Sequence, residues 1–336
     1  MTQPSTQRSR QRGVALLIAL VVVAIAATLS TGMIWNRELD IRRTANITQG
    51  DQATEYALGA EAWAEQILRR DYLSSPNNTN LTQDWAMQLP PLPVQGGSIT
   101  GHLEDLQGLF NVNNLASSNA AQASAALAQF QRLLAMLNLD PEIANATLDW
   151  VNAGSQAHFP GGAKDEYYSR LSPAYLTAEQ PMSSISELLL VKGVTPQVYA
   201  ALLPYVCALP LQAPGSPPGG VLAATAININ TAPAPVIASL NSGISMEAAA
   251  GAVQSRLQTP FQNSSQLQQL LNVSVSCAGS SGCQNTAPLP NTTLTSSFFR
   301  LTAQVKIGST QVTLYSLLYR SGSGATVAVR RTFGSL

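Results

Sequence analysis

Three cysteines and two histidines hold most of the reactive side-chain chemistry available to this chain. Cys277 and Cys283 flank Ala-Gly-Ser-Ser-Gly, a flexible stretch that lets two thiols meet. In an oxidising compartment the expected pair is Cys277–Cys283, which leaves Cys207 free. A metal on these cysteines is not expected, because no histidine or further cysteine stands at ligand spacing. His102 and His158 are isolated from one another and from any candidate nucleophile. There is no G-x-S-x-G, no H-E-x-x-H and no P-loop. The chain therefore reads as a non-enzyme, and an anchored hydrolase lacks its nucleophile and base. Charged residues make up 11% of the sequence and the formal net charge is zero, which offers no basic face for phosphates.

The remaining chemistry is done to the chain rather than by it. A polar leader carrying Arg8, Arg10 and Arg12 but no acid ends at Gly13. An apolar run from Val14 to Asn36, without a charged side chain, follows at once. Roughly 20 such residues suffice to cross a bilayer as a helix. The run is too long for a cleaved secretory signal and lacks a small-residue cleavage site behind it. The leading arginines should stay cytoplasmic, so the bulk of the chain is exported. Trp35 is well placed for the membrane interface. By itself the span fits an ordinary uncleaved anchor. The Arg12-Gly13 junction against Val14 resembles instead a type IV prepilin signal. That implies cleavage by prepilin peptidase between Gly13 and Val14, a mature chain beginning at Val14, and methylation of its new amine.

Several elements must position whatever follows. Helical spacing continues without proline from Arg37 to about Tyr72, with Tyr56, Ala60, Trp63 and Ile67 on one face. Together with the span this predicts one helix of nearly 60 residues. Residues 98–106 read as a strand. A helix is expected from Asn119 to Leu139, and a second begins at the Asp140 cap with Pro141 in its first turn. Residues 185–205 read as helix, Gly193 turn, helix, the pattern of a helix-hairpin-helix or SAM-like unit. A looser copy is centred on Gly243. Alternating segments at 298–307, 311–319 and 326–331 predict an antiparallel meander.

These residues, in this order, resemble the minor pseudopilin K family of the type II secretion system. The resemblance rests on Arg12-Gly13-Val14; Asp105, Gly108, Phe110, Asn111, Asn113 and Leu115; Asp149-Trp150 with Pro160-Gly161-Gly162-Ala163 and Tyr167-Tyr168; Ser186-Glu187-Leu188 through Gly193; and Ile227-Asn228-Ile229-Asn230-Thr231-Ala232. It implies an α+β, pilin-like fold, a long N-terminal helix packed on an antiparallel sheet, with a large inserted all-α domain holding the helix-hairpin-helix or SAM-like units. The corresponding division is leader 1–13, span 14–36, pilin-like domain 37–110 and 285–336, and insertion 111–284.

The resemblance also implies a role. The chain would cap the tip of the periplasmic pseudopilus with minor pseudopilins I and J. Minor pseudopilin H and the major pseudopilin G would be further partners, and the inner membrane the point of departure. Neither nucleic acid nor a small-molecule substrate is implied. Pilins carry a glutamate at the fifth mature position, where it neutralises a neighbour's amine in an apolar setting; here that position is Ile18. A first subunit has no such amine ahead of it. Calcium is implied in the insertion, with Asp149, Asn152, Asp165 and Glu166 as the candidate oxygen ligands. Lys164 stands where an acid is usual and Asn152 where aspartate is, which implies weaker binding or a lost site. Asp105 and Asn111 read as turn formers. The alternative function is a membrane-anchored periplasmic DNA-binding protein using the turn at Lys192-Gly193-Val194.

Overall fold

The computed structural model describes residues 10–88, 90–217, 220–271, 289 and 291–334. Helix α1 runs unbroken from Arg10 to Ser74, 65 residues, or about 98 Å at 1.5 Å per residue. From Gly13 to Thr48 it is exposed throughout. Its second half buries a stripe: Ala53, Ala57, Glu61, Ala64, Leu68 and Asp71, at spacings of three and four. This face lies beside the one that the large residues suggested. Tyr56, Ala60 and Ile67 only flank the contact, and Trp63 is 45% exposed. The seam is built of alanines because small side chains let the helix axis approach the sheet.

The helix lies on a five-stranded antiparallel sheet of order β1-β2-β7-β8-β9. Its first strands are β1 (Leu92–Val94) and β2 (Gly97–Asp105). Between β2 and β7 the chain makes β3 (Phe110–Asn111), α2 (Ala120–Met136), α3 (Ile143–Val151), α4 (Asp165–Tyr168) and a 3₁₀ turn at Ile185–Leu190. It continues through α5 (Pro196–Leu202), β4 (Val206–Cys207), β5 (Ile227–Asn228) and α6 (Ala234–Ser239). Then come α7 (Met246–Gln258), α8 (Ser264–Leu271) and β6 (Thr292–Thr293). The sheet resumes with β7 (Phe298–Ile307), β8 (Thr310–Arg320) and β9 (Thr326–Phe333). The predicted strand 98–106 and the predicted meander are therefore present. The helix expected at 185–190 is a single 3₁₀ segment, closed by a capping box between Ser184 and Glu187.

β2 and β7 are hydrogen-bonded neighbours, with Asp105 opposite Phe299, although nearly two hundred residues separate them. Everything between is an insertion that leaves at Asp105 and returns at Phe298. It has its own core, around Phe110, Phe130, Leu133, Trp150, Tyr168 and Leu188, distinct from the helix–sheet core around Leu68, Phe299, Val305 and Leu314. The insertion is not purely helical. Two short parallel ladders, β3 with β4 and β5 with β6, close its two halves. Segments flanking the expected 111–284 bounds, β6 among them, belong to these ladders.

Strand β8 runs alongside α1 in the same direction. Gln49 meets Thr310, Glu61 meets Ser316, and the carbonyl of Leu68 accepts from Arg320. The end of β8, the start of β7 and the end of β2 thus lie where α1 terminates. The insertion stands at that end, the one farthest from residues 14–36.

A buried ion pair pins α1 to the edge strand. The Glu61 carboxylate, 5% exposed, accepts from Arg331 Nε and Nη2 at 2.7–2.9 Å and from the Ser316 hydroxyl at 2.5 Å. Arg331 is half exposed, so the pair is worth less than a fully buried one. Arg331→Met is expected to cost about 2 kcal/mol in urea unfolding, because it strands the buried carboxylate. Adding Glu61→Met should restore at least half of that loss. Strictly additive losses in the double variant would show that the two groups do not act as a pair.

Candidate functional site

The N-terminal residues lie on α1. Gly13, Val14 and Ile18 are all on exposed helix, Val14 and Ile18 each 59% accessible. The large apolar residues from Leu16 to Trp35 are each about half exposed or more. Among the described residues nothing covers this surface, and it forms the one helix long and apolar enough to cross a membrane. An acid at position 18 would project from this apolar cylinder, whereas isoleucine continues it.

The candidate calcium residues surround the carbonyl end of α3. Asp149 is fully buried. One of its carboxylate oxygens accepts from the His158 backbone N–H at 3.0 Å, and the other faces His158 Nδ1 at 2.5 Å. Gly162 makes this close approach possible, since a Cβ there would stand 2.3 Å from Asp149 Oδ2 and 2.2 Å from the His158 carbonyl. The side-chain amide of Asn152 donates to the carbonyls of Leu115 and Leu148. Asp165 accepts from the backbone N–H and the hydroxyl of Thr177, and these bonds hold its carboxyl below the usual range. Glu166 is exposed and pairs with Arg170 one turn on. The four side chains share no partner. Among the described residues no group of three or more histidine, cysteine, aspartate or glutamate side chains could hold a metal. As arranged, these residues do not fit a calcium ion, which needs six to eight converging oxygens.

Cys277 and Cys283 lie outside the described residues. Cys207 is free and buried, its Sγ donating to the Leu106 carbonyl, and burial pushes its thiol well up. It is consequently inert as a nucleophile. His102 sits on β2. Of the aromatic residues that carry the family resemblance, Phe110, Trp150 and Tyr168 are buried and Tyr167 is 40% exposed.

Two backbone amides of the turn at Gly193 are already engaged within the chain. Lys192 N–H donates to the Tyr168 hydroxyl and Val194 N–H to the Val191 carbonyl. The Lys192 ammonium lies over the Tyr167 ring, 5.1 Å from its centroid. Two of the amides and the one lysine of the turn that motivated a DNA-binding alternative are thus engaged internally.

Sequence reasoning named several of the most heavily bonded side chains among the described residues but missed most of what they hold. Asp105 and Asn111 do form turns, accepting from Gln107 N–H and Asn113 N–H respectively. Asp105 does more than that. Its second oxygen accepts from Asn228 Nδ2 at 3.0 Å, the Thr231 hydroxyl at 2.6 Å and the Ser296 hydroxyl at 2.5 Å. Asn228 also donates to the Thr79 carbonyl, just beyond α1. One buried carboxylate therefore ties the end of β2 to the second half of the insertion and to the segment that returns to β7.

The asparagines repeat a pattern. Asn113 grips the backbone N–H and carbonyl of Met182, and Asn230 grips those of Phe261 in the same way. Five residues after each gripped backbone stands Glu187 or Gln266, whose Oε1 accepts from Ser183 N–H or Gln262 N–H. Each is followed by a fully buried leucine, Leu188 or Leu267. In both copies the Asn-x-Asn begins in a parallel ladder. The recurring Asn-x-Asn behind an apolar residue was the available signal for this duplication.

A long helix, apolar for half its length and packed by the other half on an antiparallel sheet, defines a pilin-like class of protein. Comparison with known proteins gives the family. The family model described as "Type II secretion system (T2SS), protein K" matches residues 108–211 and 227–280. Type II secretion system protein K of Pectobacterium carotovorum is 35% identical over 342 residues, covering 97% of this chain and 98% of that protein. The protein K of Aeromonas hydrophila is 38% identical over 213 residues, 60% of this chain, and the match spans 64% of that relative's own length, under two thirds. A crystal structure of the GspK-GspI-GspJ complex from enterotoxigenic Escherichia coli aligns with 88% of this chain and 100% of its own, at a TM-score of 0.65 and 22% identity. The chain belongs to the type II secretion system protein K family.

Proposed function

We propose that this chain is a minor pseudopilin that caps the tip of the periplasmic pseudopilus and helps to initiate its assembly for the export of folded proteins. In this reading prepilin peptidase cuts after Gly13, Val14 is methylated, and α1 holds the subunit in the inner membrane with its N-terminus cytoplasmic until it enters the filament. The role is structural and not enzymatic. The observation that carries it is the position of the insertion, at the end of the sheet opposite the apolar half of α1. A subunit in the middle of a filament needs that end free for the next subunit, and here a domain with its own core stands on it. Ile18 agrees, since a first subunit meets no amine ahead of it.

The partners in this reading are minor pseudopilins I and J, with H and the major pseudopilin G below them. The helix–glycine–helix segments at Gly193 and Gly243 act as SAM-like packing units in the cap. Co-expressed full-length proteins, extracted in detergent and purified through a tag on this chain, are expected to yield I and J in a 1:1:1 complex. Recovery of this chain alone, with I and J in the flow-through, would overturn the tip assignment.

A further inference from the structure

The carbonyl end of α3 is where the family resemblance calls for a metal, and the chain has put something else there. A helix leaves its last carbonyls without intrahelical donors, and they carry the negative end of its dipole. In α3 three of the last four carbonyls, and that of the C-cap Asn152, have a donor from the chain. Leu148 O accepts from the N–H and the side-chain amide of Asn152, and Trp150 O accepts from Glu179 N–H at 3.0 Å. Asp149 O and Asn152 O converge on a single donor, Lys164 Nζ, at 2.7 and 2.5 Å. Lys164 is 6% exposed, and it arrives from the far end of the loop that folds back over the helix terminus. No basic residue stands in the last turn of α3 itself. Its cation comes from outside the helix.

We infer that the Lys164 ammonium is the resident cation of this loop, doing the work of a bound divalent metal, so that the loop folds independently of calcium. The electrostatics favour it. Two convergent carbonyl oxygens at a helix C-terminus are a cation site, and a buried ammonium satisfies both while they satisfy it. A carboxylate at position 164 would leave those oxygens to an external ion. Lysine occupies the place between them and repels any dication that approaches. The Asp149 carboxylate, freed from metal duty, turns to His158 and fastens the other side of the loop. Asp165 and Glu166 are likewise committed, to Thr177 and Arg170.

The test compares full-length protein in detergent, in millimolar calcium chloride and in EDTA. Thermal melting and hydrogen exchange of the backbone amides of residues 152–166 are the readouts. Wild type is expected to give the same Tm and the same exchange in both buffers. Lys164→Met should lower Tm by about 5 °C and speed exchange in the loop, and calcium should not restore either. Lys164→Asp should melt early in EDTA and recover in calcium. A wild-type Tm that rises by several degrees with calcium would overturn the inference, as would Lys164→Met behaving like wild type. The wild-type comparison decides the matter even where a variant does not fold.

Discussion

Replacing Gly13 by alanine is expected to leave the 13-residue leader on the chain and to abolish its entry into the pseudopilus. The structure makes this a clean substitution. Gly13 lies within α1, and a Cβ built there meets nothing within 4 Å. Alanine is also the better helix former, by about 1 kcal/mol. Folding and membrane insertion should not suffer, so any loss reports on the peptidase, which needs the unsubstituted backbone of glycine at the bond it cuts. Gly32→Ala is the matched control: it lies in the same helix, with equally open space, and should be processed normally. N-terminal sequencing gives the answer. Wild type and the control should begin at Val14, and Gly13→Ala at the original terminus. A wild-type chain cut behind the apolar run, or a Gly13→Ala chain that still begins at Val14, would refute the prepilin reading.

Under the proposed tip role, position 18 would separate a tip subunit from an ordinary one. Cleavage and methylation at Val14 would leave a charged amine at the start of an apolar helix. Inside a filament such a charge is costly unless the subunit ahead or behind offers a carboxylate. Ile18, exposed on the helix surface, offers none to a neighbour. The same surface is free to lie in lipid or against other helices. On the proposed reading Ile18 would cost nothing at the tip and would be costly anywhere lower, in line with an insertion at the end of the sheet farthest from residues 14–36.

What could be read from sequence followed from periodicity. The absence of proline from Arg37 to Tyr72 gave α1, and alternation gave β7 to β9 nearly to the residue. The buried face of α1 was misjudged because burial follows the partner's shape. Against a sheet at close range, Ala53, Ala57 and Ala64 make the contact while Trp63 stays out. β3 to β6 were invisible because strands of two residues have no period to detect. The candidate calcium loop is a different case. Its three carboxylates each meet a donor that sequence does not reveal: His158 for Asp149, Thr177 for Asp165 and Arg170 for Glu166. Lys164 was noticed as a departure, whereas its role as a donor to two carbonyls emerges only from the fold.

Asp105→Ala is the expected extreme among stability variants. The residue is 8% exposed, and its carboxylate takes four hydrogen bonds from three separate stretches of chain. The hydroxyls of Thr231 and Ser296 can turn to other acceptors, and the Asn228 amide keeps the Thr79 carbonyl and the Ser296 hydroxyl, but the Gln107 N–H is fixed in direction. Orphaning that donor and breaking the three other bonds in a dry interior is expected to cost about 3–4 kcal/mol. Asp105→Asn retains one acceptor oxygen and should cost about half as much. Because the insertion keeps its own core, the damage should fall on the joint. Urea unfolding should lose cooperativity between insertion and sheet, and amides near Thr79 and Ser296 should exchange faster. The joint also has a pH signature. Burial, the largest influence, holds the Asp105 carboxyl above the ordinary aspartate range, although all four donors pull it down. The fold therefore favours the protonated form. That contribution is complete below about pH 4, the unfolded aspartate range, and is lost as pH rises through the raised folded value. The stability advantage of wild type over Asp105→Asn should accordingly shrink as pH is raised from about 4 towards neutrality. An advantage that grows over that interval would show that the four donors outweigh burial and that the joint is held by a carboxylate anion.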